Sequence, residues 1–224
     1  MGIRLMRALP VNIVVLSDFD GTIVDIDTAV VVLTHFAEEN WTIFDEQFEK
    51  GEITLEECLQ QEFSTVRTSK TRILKEIERI PSLRPNFDKL AQFCKTLKIP
   101  LIIVSAGLDF VINHFLEQKG LQKLVEVYVP KARITATGIK FSFPSLLDKA
   151  SVSFKDDLVR YYKRQGKKTV YIGDGFADFN AARNADFSFA IKDSKLAELL
   201  RNDGILYEEI SDFQEVVEAL QKLF

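Results

Sequence analysis

Two cysteines, two histidines and one tryptophan are all that the 224 residues hold of those types. Cys58 and Cys94 stand 36 positions apart with no CxxC spacing, which excludes a disulfide scaffold and speaks against a redox pair or zinc site. They are expected as two semi-buried, reduced thiols of an intracellular protein. His35 and His114 are isolated and read as packing or surface residues. Long apolar runs are missing too. Residues 11–16, 29–33 and 99–108 all fall short of the roughly 18 residues a membrane span needs. The first run follows Arg4 and Arg7 as a signal peptide would, but it ends in Ser17-Asp18-Phe19-Asp20 rather than at a small-residue cleavage site. Gly2 is followed by Met6 where myristoylation requires a hydroxyl residue. A cytoplasmic location without a membrane partner is expected. Neither charge dominates: 29 basic and 33 acidic residues leave −4, with no Lys/Arg cluster, so nucleic acid is not an expected partner.

What is present is ordinary for a globular chain: 46% hydrophobic and 28% charged residues, enough to bury a core without cross-links. Four short runs rich in β-branched residues read as strands buried on both faces, the mark of a parallel sheet. They are residues 11–17 (VNIVVLS), 100–105 (PLIIVS), 168–173 (KTVYIG) and 187–191 (FSFAI). Helical spacing of apolar residues lies between or beside them, at residues 82–97, 108–118, 156–162, 194–200 and 213–223. Alternating strands and helices predict an α/β, doubly wound, three-layer parallel sheet with right-handed crossovers.

Residues 27–80 break that alternation. Asp27-Thr28 forms a good N-cap for a helix through Ala37, and helical spacing recurs at residues 43–48, 55–63 and 73–80. A small helical domain of residues 27–80 is expected, inserted into a core of residues 1–26 and 81–224. Gly138, between residues 133–136 and 139–143, reads as the turn of a hairpin projecting from the sheet.

The chemistry gathers at strand ends. Asp18-Phe19-Asp20-Gly21-Thr22 follows the first strand and Gly173-Asp174-Gly175-Phe176-Ala177-Asp178 follows the third. In a doubly wound sheet the carboxyl ends of the strands converge on one crevice, so Asp18, Asp20, Asp174 and Asp178 are expected to meet. Crowded carboxylates resist ionising together unless a cation lies among them. An oxygen-only set without His or Cys suits Mg²⁺. Ser105-Ala106-Gly107 ends the second strand and opens a helix, where a hydroxyl and free N–H groups hold phosphate. Lys155 begins the helix before the third strand and could balance the acids, with Lys149 as a rival. Asp25, Asp27 and Asp109 read as capping or surface acids. Arg67, Arg72 and Arg79 read as a solvated face, with an anionic-substrate contact the minority alternative. Phe19 and Phe176 are candidates for the pocket wall, the other phenylalanines for the core.

With these motifs in this order, the sequence resembles the phosphatase branch of the haloacid dehalogenase superfamily. Residues 18–22 match its DxDGT motif, Ser105 its second-motif hydroxyl, Lys155 its third-motif lysine, and Asp174 with Asp178 its acidic GDxxxD motif. Residues 27–80 fall at the family's first cap position. Within the branch the chain is similar to the phosphoserine phosphatase-like group. The stretch Ser105-Ala106-Gly107-Leu108-Asp109-Phe110, with the Gly138 hairpin after it, resembles the methionine-salvage phosphatases. The resemblance implies Mg²⁺-dependent hydrolysis of a small phosphorylated metabolite through an aspartyl-phosphate. Asp18 would be nucleophile and Asp20 acid and base. Thr22, Ser105, Ala106, Gly107 and Lys155 would bind phosphate. The metal would lie on Asp18, Asp174, the Asp20 main-chain carbonyl and Asp178, the last a direct ligand or an anchor. Position 106 is Ala where relatives often have Gly. A phosphotransferase on the same site and a non-catalytic phosphate-binding regulator remain the alternatives.

Overall fold

The computed structural model describes residues 12–78 and 83–223. The features read at Gly2, Arg4, Met6 and Arg7, the strand start at Val11, Arg79, the helix end at Ile80, the 80/81 boundary and Ser82 lie outside the described residues.

Six parallel strands form one sheet in the order β3-β2-β1-β6-β7-β8. They are β1 (Ile13–Ser17), β2 (Leu101–Val104), β3 (Glu126–Tyr128), β6 (Lys168–Gly173), β7 (Phe187–Ile191) and β8 (Glu208–Ile210). The chain adds strands outward from β1 through β2 to β3, then returns to lay β6, β7 and β8 on its other side. The order therefore reverses between β1 and β6, and the crevice outside their carboxyl ends is where α/β sheets bind ligands. Asp18 follows β1 and Asp174 follows β6, so the reversal sets the two acidic motifs side by side. Ser17 pairs with Ile172, and Asp18 N donates to Ile172 O at 2.8 Å.

Side-chain alternation along β1 explains the three layers. Ile13 and Val15 face one apolar cluster with α5 (Phe87–Leu97) and α10 (Phe213–Gln221). Val14 and Leu16 face the other, with α7 (Phe154–Arg164), α8 (Phe179–Asn184) and α9 (Lys195–Asn202). Each large apolar side chain buried this way contributes about 1.5–3 kcal/mol. The remaining core helix, α6 (Asp109–Gln118), follows β2.

The sheet has two strands that periodicity did not reveal. β3 and β8 are three-residue edge strands, EVY and EEI, too short and too polar to carry an alternating pattern. The helix expected over residues 82–97 starts only at Phe87, because Pro85 and the left-handed Asn86 (φ 63°) bar an earlier start.

Among the described residues, four α-helices lie between β1 and α5: α1 (Thr28–Phe36), α2 (Thr42–Glu49), α3 (Leu55–Glu62) and α4 (Lys70–Ile77). Asp27 caps α1 by accepting from Val30 N, and Thr54 with Glu57 forms a capping box on α3. The hairpin of β4 (Lys131–Thr135) and β5 (Gly138–Ser142) is a separate two-stranded sheet. It does not project freely. Gln60 on α3 donates to Ile139 O and accepts from Phe141 N, tying the hairpin to the helical insertion. Gly138 is also not the turn residue. It pairs with Thr135 as the first residue of β5, and a Cβ there would lie 2.1 Å from Ser64 O.

Candidate active site

A cavity of about 280 Å³ opens between the strand ends and the helical insertion. Asp18, Asp20, Asp174, Asp178, Ser105, Ala106, Gly107 and Lys155 all line it. The acids expected to converge do so.

Lys155 is the pivot. It is the second residue of α7, whose cap Ser153 accepts from Asp156 N, and that start aims Lys155 inward at 1% exposure. Its Nζ sits 2.7 Å from Asp178 Oδ1 and 3.1 Å from Asp18 Oδ1. Burial opposes the charge, but Asp178 and Asp18 outweigh it and hold the ammonium above its ordinary range. Lys149, the rival, is exposed and lines nothing in the cavity.

Asp178 has little left to offer a ligand. Its Oδ1 accepts from Lys155 Nζ and from Tyr171 Oη, each at 2.7 Å, and its Oδ2 accepts from Asp174 N and Gly175 N at 3.1 and 3.0 Å. It is fully buried and orders both Lys155 and the loop that carries Asp174. Asp18 is the opposite case. Its Oδ1 meets Lys155 off the hydrogen-bond axis and has no hydrogen-bond partner among the described residues. Burial and Asp178 push Asp18 up to about 7, against the pull of Lys155. Burial, Asp178 and Asp18 likewise push Asp174 up to about 8.

Asp18, Asp174 and Asp178 each offer an oxygen, and these atoms lie within 4.8 Å of one another. The donors are all hard oxygens, one is an orphaned buried atom, and the group carries more negative charge than Lys155 balances. The residues present fit Mg²⁺.

Thr22 departs from expectation. It is fully buried, does not line the cavity, and gives its hydroxyl to Asp174 Oδ1 at 2.8 Å. The hydroxyl orients that acid instead of facing a phosphate. Gly21 beside it has φ +67°, and a Cβ there would lie 2.1 Å from Asp174 Oδ2. Asp20 reaches toward the second motif, where a Cβ on Gly107 would meet its Oδ2 at 2.5 Å. Its Oδ1 accepts from Thr28 N at 2.8 Å, at the start of α1. Burial and the nearby Asp27 raise Asp20 well above the usual carboxylate range. Ser105 Oγ accepts from Gly107 N at 3.1 Å, leaving its own proton for a ligand.

The family pattern for haloacid dehalogenase-like hydrolases matches residues 14–186. The chain belongs to this family. It is similar to two 2-hydroxy-3-keto-5-methylthiopentenyl-1-phosphate phosphatases. The one from Geobacillus kaustophilus is 28% identical, over 95% of this chain and 97% of the relative. The one from Bacillus pumilus is 27% identical, over 89% and 87%. Among solved structures, a phospho-aspartyl intermediate analogue of phosphoserine phosphatase superposes with a TM-score of 0.68 at 20% identity, over 92% of this chain and 97% of that one. That likeness concerns the fold.

Most other residues singled out in the sequence of this hydrolase fall outside the cavity. Phe19 is fully buried and packs edge-on against Phe115 in the core. Phe176 does line the cavity, meeting Phe48 of α2 edge-on at 5.2 Å. Asp109 accepts from Ala132 N and pairs with Lys131, joining α6 to the hairpin. Arg67 bonds Ser64 O, and Arg72 lies over the Phe36 ring. His35 lies beside Glu76 and His114 beside Glu78, both away from the cavity. Asp27 caps α1 and also lines the cavity. Cys58 and Cys94 are free and fully buried, more so than expected.

Three features of the site were missed in the sequence. Arg84 clamps the loop that follows β1, donating to Thr22 O and Gly21 O at 2.7 Å each. Nothing local marked it, because it acts from 62 positions away. Tyr171 was read only as strand. Glu62 is 4% exposed and lines the cavity. Its signal was available: Leu55, Cys58, Leu59 and Glu62 form the buried stripe of α3, and a carboxylate in such a stripe is out of place.

Proposed function

We propose that the protein is a Mg²⁺-dependent phosphomonoester hydrolase that works through an aspartyl-phosphate on Asp18 and acts on a small phosphorylated metabolite. One observation carries this reading: a buried carboxylate oxygen without a hydrogen-bond partner, on Asp18, beside a buried ammonium, in a cavity sized for a small molecule. In this reading residues 27–80 cap a core of residues 1–26 and 81–224. The names of the relatives and of the structural neighbour, all phosphatases, support it.

Asp18 attacks phosphorus while Lys155 offsets the approach of one anion to another. Asp20, whose burial favours the neutral carboxyl and which Thr28 N fixes in place, gives its proton to the departing alkoxide as the ester P–O bond breaks. The resulting Asp20 carboxylate then takes a proton from water, which attacks the acyl phosphate, frees inorganic phosphate and restores Asp18. Ser105, oriented by Gly107 N, and the Ala106 amide hold the equatorial oxygens. Asp178 positions Lys155, and Thr22 positions Asp174. Asp18, Asp174 and the Asp20 carbonyl would hold Mg²⁺, with Asp178 against them. The ion would lower the charge barrier to phosphoryl transfer. Two buried free thiols and a small net charge of −4 support a cytoplasmic setting, and no described helix is long and apolar enough to cross a membrane.

Phosphate release from 4-nitrophenyl phosphate tests the reading. Turnover should require Mg²⁺, vanish with excess chelator and return when Mg²⁺ is restored. Rates indifferent to chelation would sink it. Asp20→Asn should slow alkyl phosphates about 10²- to 10⁴-fold and nitrophenyl phosphate far less, since a good leaving group needs no proton. Equal slowing of both would remove the acid role from Asp20.

A further inference from the structure

The cavity runs on from Asp18 beneath the cap, and its far wall is acidic. Asp45, Glu49 and Glu62, from α2 and α3, line it there. Glu62 lies deepest, at 4% exposure, and its Oε1 has no hydrogen-bond partner among the described residues. An oxygen of Glu62, one of Asp45 and the Cys58 sulfur lie within 4.8 Å of one another. Burial and Asp45 push Glu62 up to about 9, the response of an acid packed against another acid with no cation between them. Trp41 and Phe48 complete this wall, and aromatic faces attract cations. Among the described lining residues Lys155 alone is cationic, and it is engaged by Asp18 and Asp178.

A substrate carboxylate would therefore find no free cation beneath the cap and would face three acids, Asp45, Glu49 and Glu62. An ammonium would find the unpartnered Glu62 oxygen, the Asp45 carboxylate and two aromatic rings. We propose, building on the phosphomonoesterase reading, that the alcohol released by this enzyme carries a positive charge and no carboxylate: the substrate is of the amino-alcohol phosphate class, seated against Glu62, Asp45, Trp41 and Phe48. This separates the chain from phosphoserine-type specificity, whose substrate brings a carboxylate with its amine.

Three compounds of similar size isolate the charge: phosphoethanolamine, ethyl phosphate and phosphoglycolate. Their kcat/KM should fall in that order, by about tenfold or more per step. Glu62→Gln, and separately the exposed Asp45→Asn, should collapse the ratio of phosphoethanolamine to phosphoglycolate about tenfold or more. Asp45→Asn keeps the test open if a Gln at the buried position fails to fold. Equal rates on the three compounds, with 4-nitrophenyl phosphate still hydrolysed, overturn the proposal and leave the phosphatase reading standing. Calorimetric binding to the Asp18→Asn protein covers the converse. Tighter phosphoethanolamine binding without hydrolysis by the native chain upholds the acidic wall and refutes the catalytic reading. Absence of both binding preference and hydrolysis overturns both. A transition metal retained by the native protein and lost in Cys58→Ser would assign the cluster to an ion and also overturn the proposal.

Discussion

The Asp18→Asn protein should fold normally and lose turnover by on the order of 10⁴- to 10⁶-fold, the scale seen when a covalent nucleophile is removed. The amide keeps the shape of the carboxyl but cannot attack phosphorus. Stability should move the other way with pH. Asp18 is raised from its ordinary value to about 7, with burial and Asp178 as the causes. A group raised on folding stabilises fully below its unfolded pKa, and that contribution is lost as pH climbs through the folded one. In metal-free buffer the native chain should therefore lose stability between about pH 4 and pH 8 that the Asn variant keeps. Thermal melts across that range, beside steady-state rates with Mg²⁺, check both halves. A variant with near-native Mg²⁺-dependent turnover would place the nucleophile elsewhere.

Lys155→Met should damage both fold and activity. The ammonium is buried between Asp18 and Asp178, and Met fills its volume without its charge. Breaking a buried ion pair from one side leaves uncompensated carboxylates and costs about 3–5 kcal/mol. For a chain of this size that is a fall in Tm of roughly 10 °C. Turnover should drop by about 10²- to 10³-fold or more, the scale of removing one preorganised electrostatic contact. Asp178→Asn, which spares Lys155 but weakens its anchor, should show a milder version of both effects. Lys155→Arg should not rescue, because the site is closed around a single ammonium at 1% exposure. A Lys155→Met protein with native melting and native rates would remove Lys155 from the centre of the site.

Asp18, Asp20, Asp174, Asp178, Ser105 and Lys155 were legible because their motifs follow strong strand signals or open helices. A parallel sheet with helices on both faces brings such ends together whatever the rest of the chain does. The buried strands β1, β2, β6 and β7 were legible for the same reason, since burial on both faces demands an unbroken apolar run. β3 and β8 were not, because an edge strand of three residues needs no such run. Thr22 and Asp178 show the limit within a motif. Both residues were picked out, but which partner takes a hydroxyl proton or a carboxylate lone pair depends on distances that spacing does not encode.

By itself the sequence determined the α/β class, the helical insertion and the acidic residues that meet at the strand ends, because apolar periodicity and strand-end position are local properties of the chain. Only the tertiary structure decided that Asp178 serves Lys155 and Tyr171, that Arg84 grips the loop after β1, and that Glu62 lines the same cavity as Asp18. Those arrangements join residues remote along the chain, and a hydrogen bond or an unpaired buried oxygen exists only once packing has set which atoms are within reach.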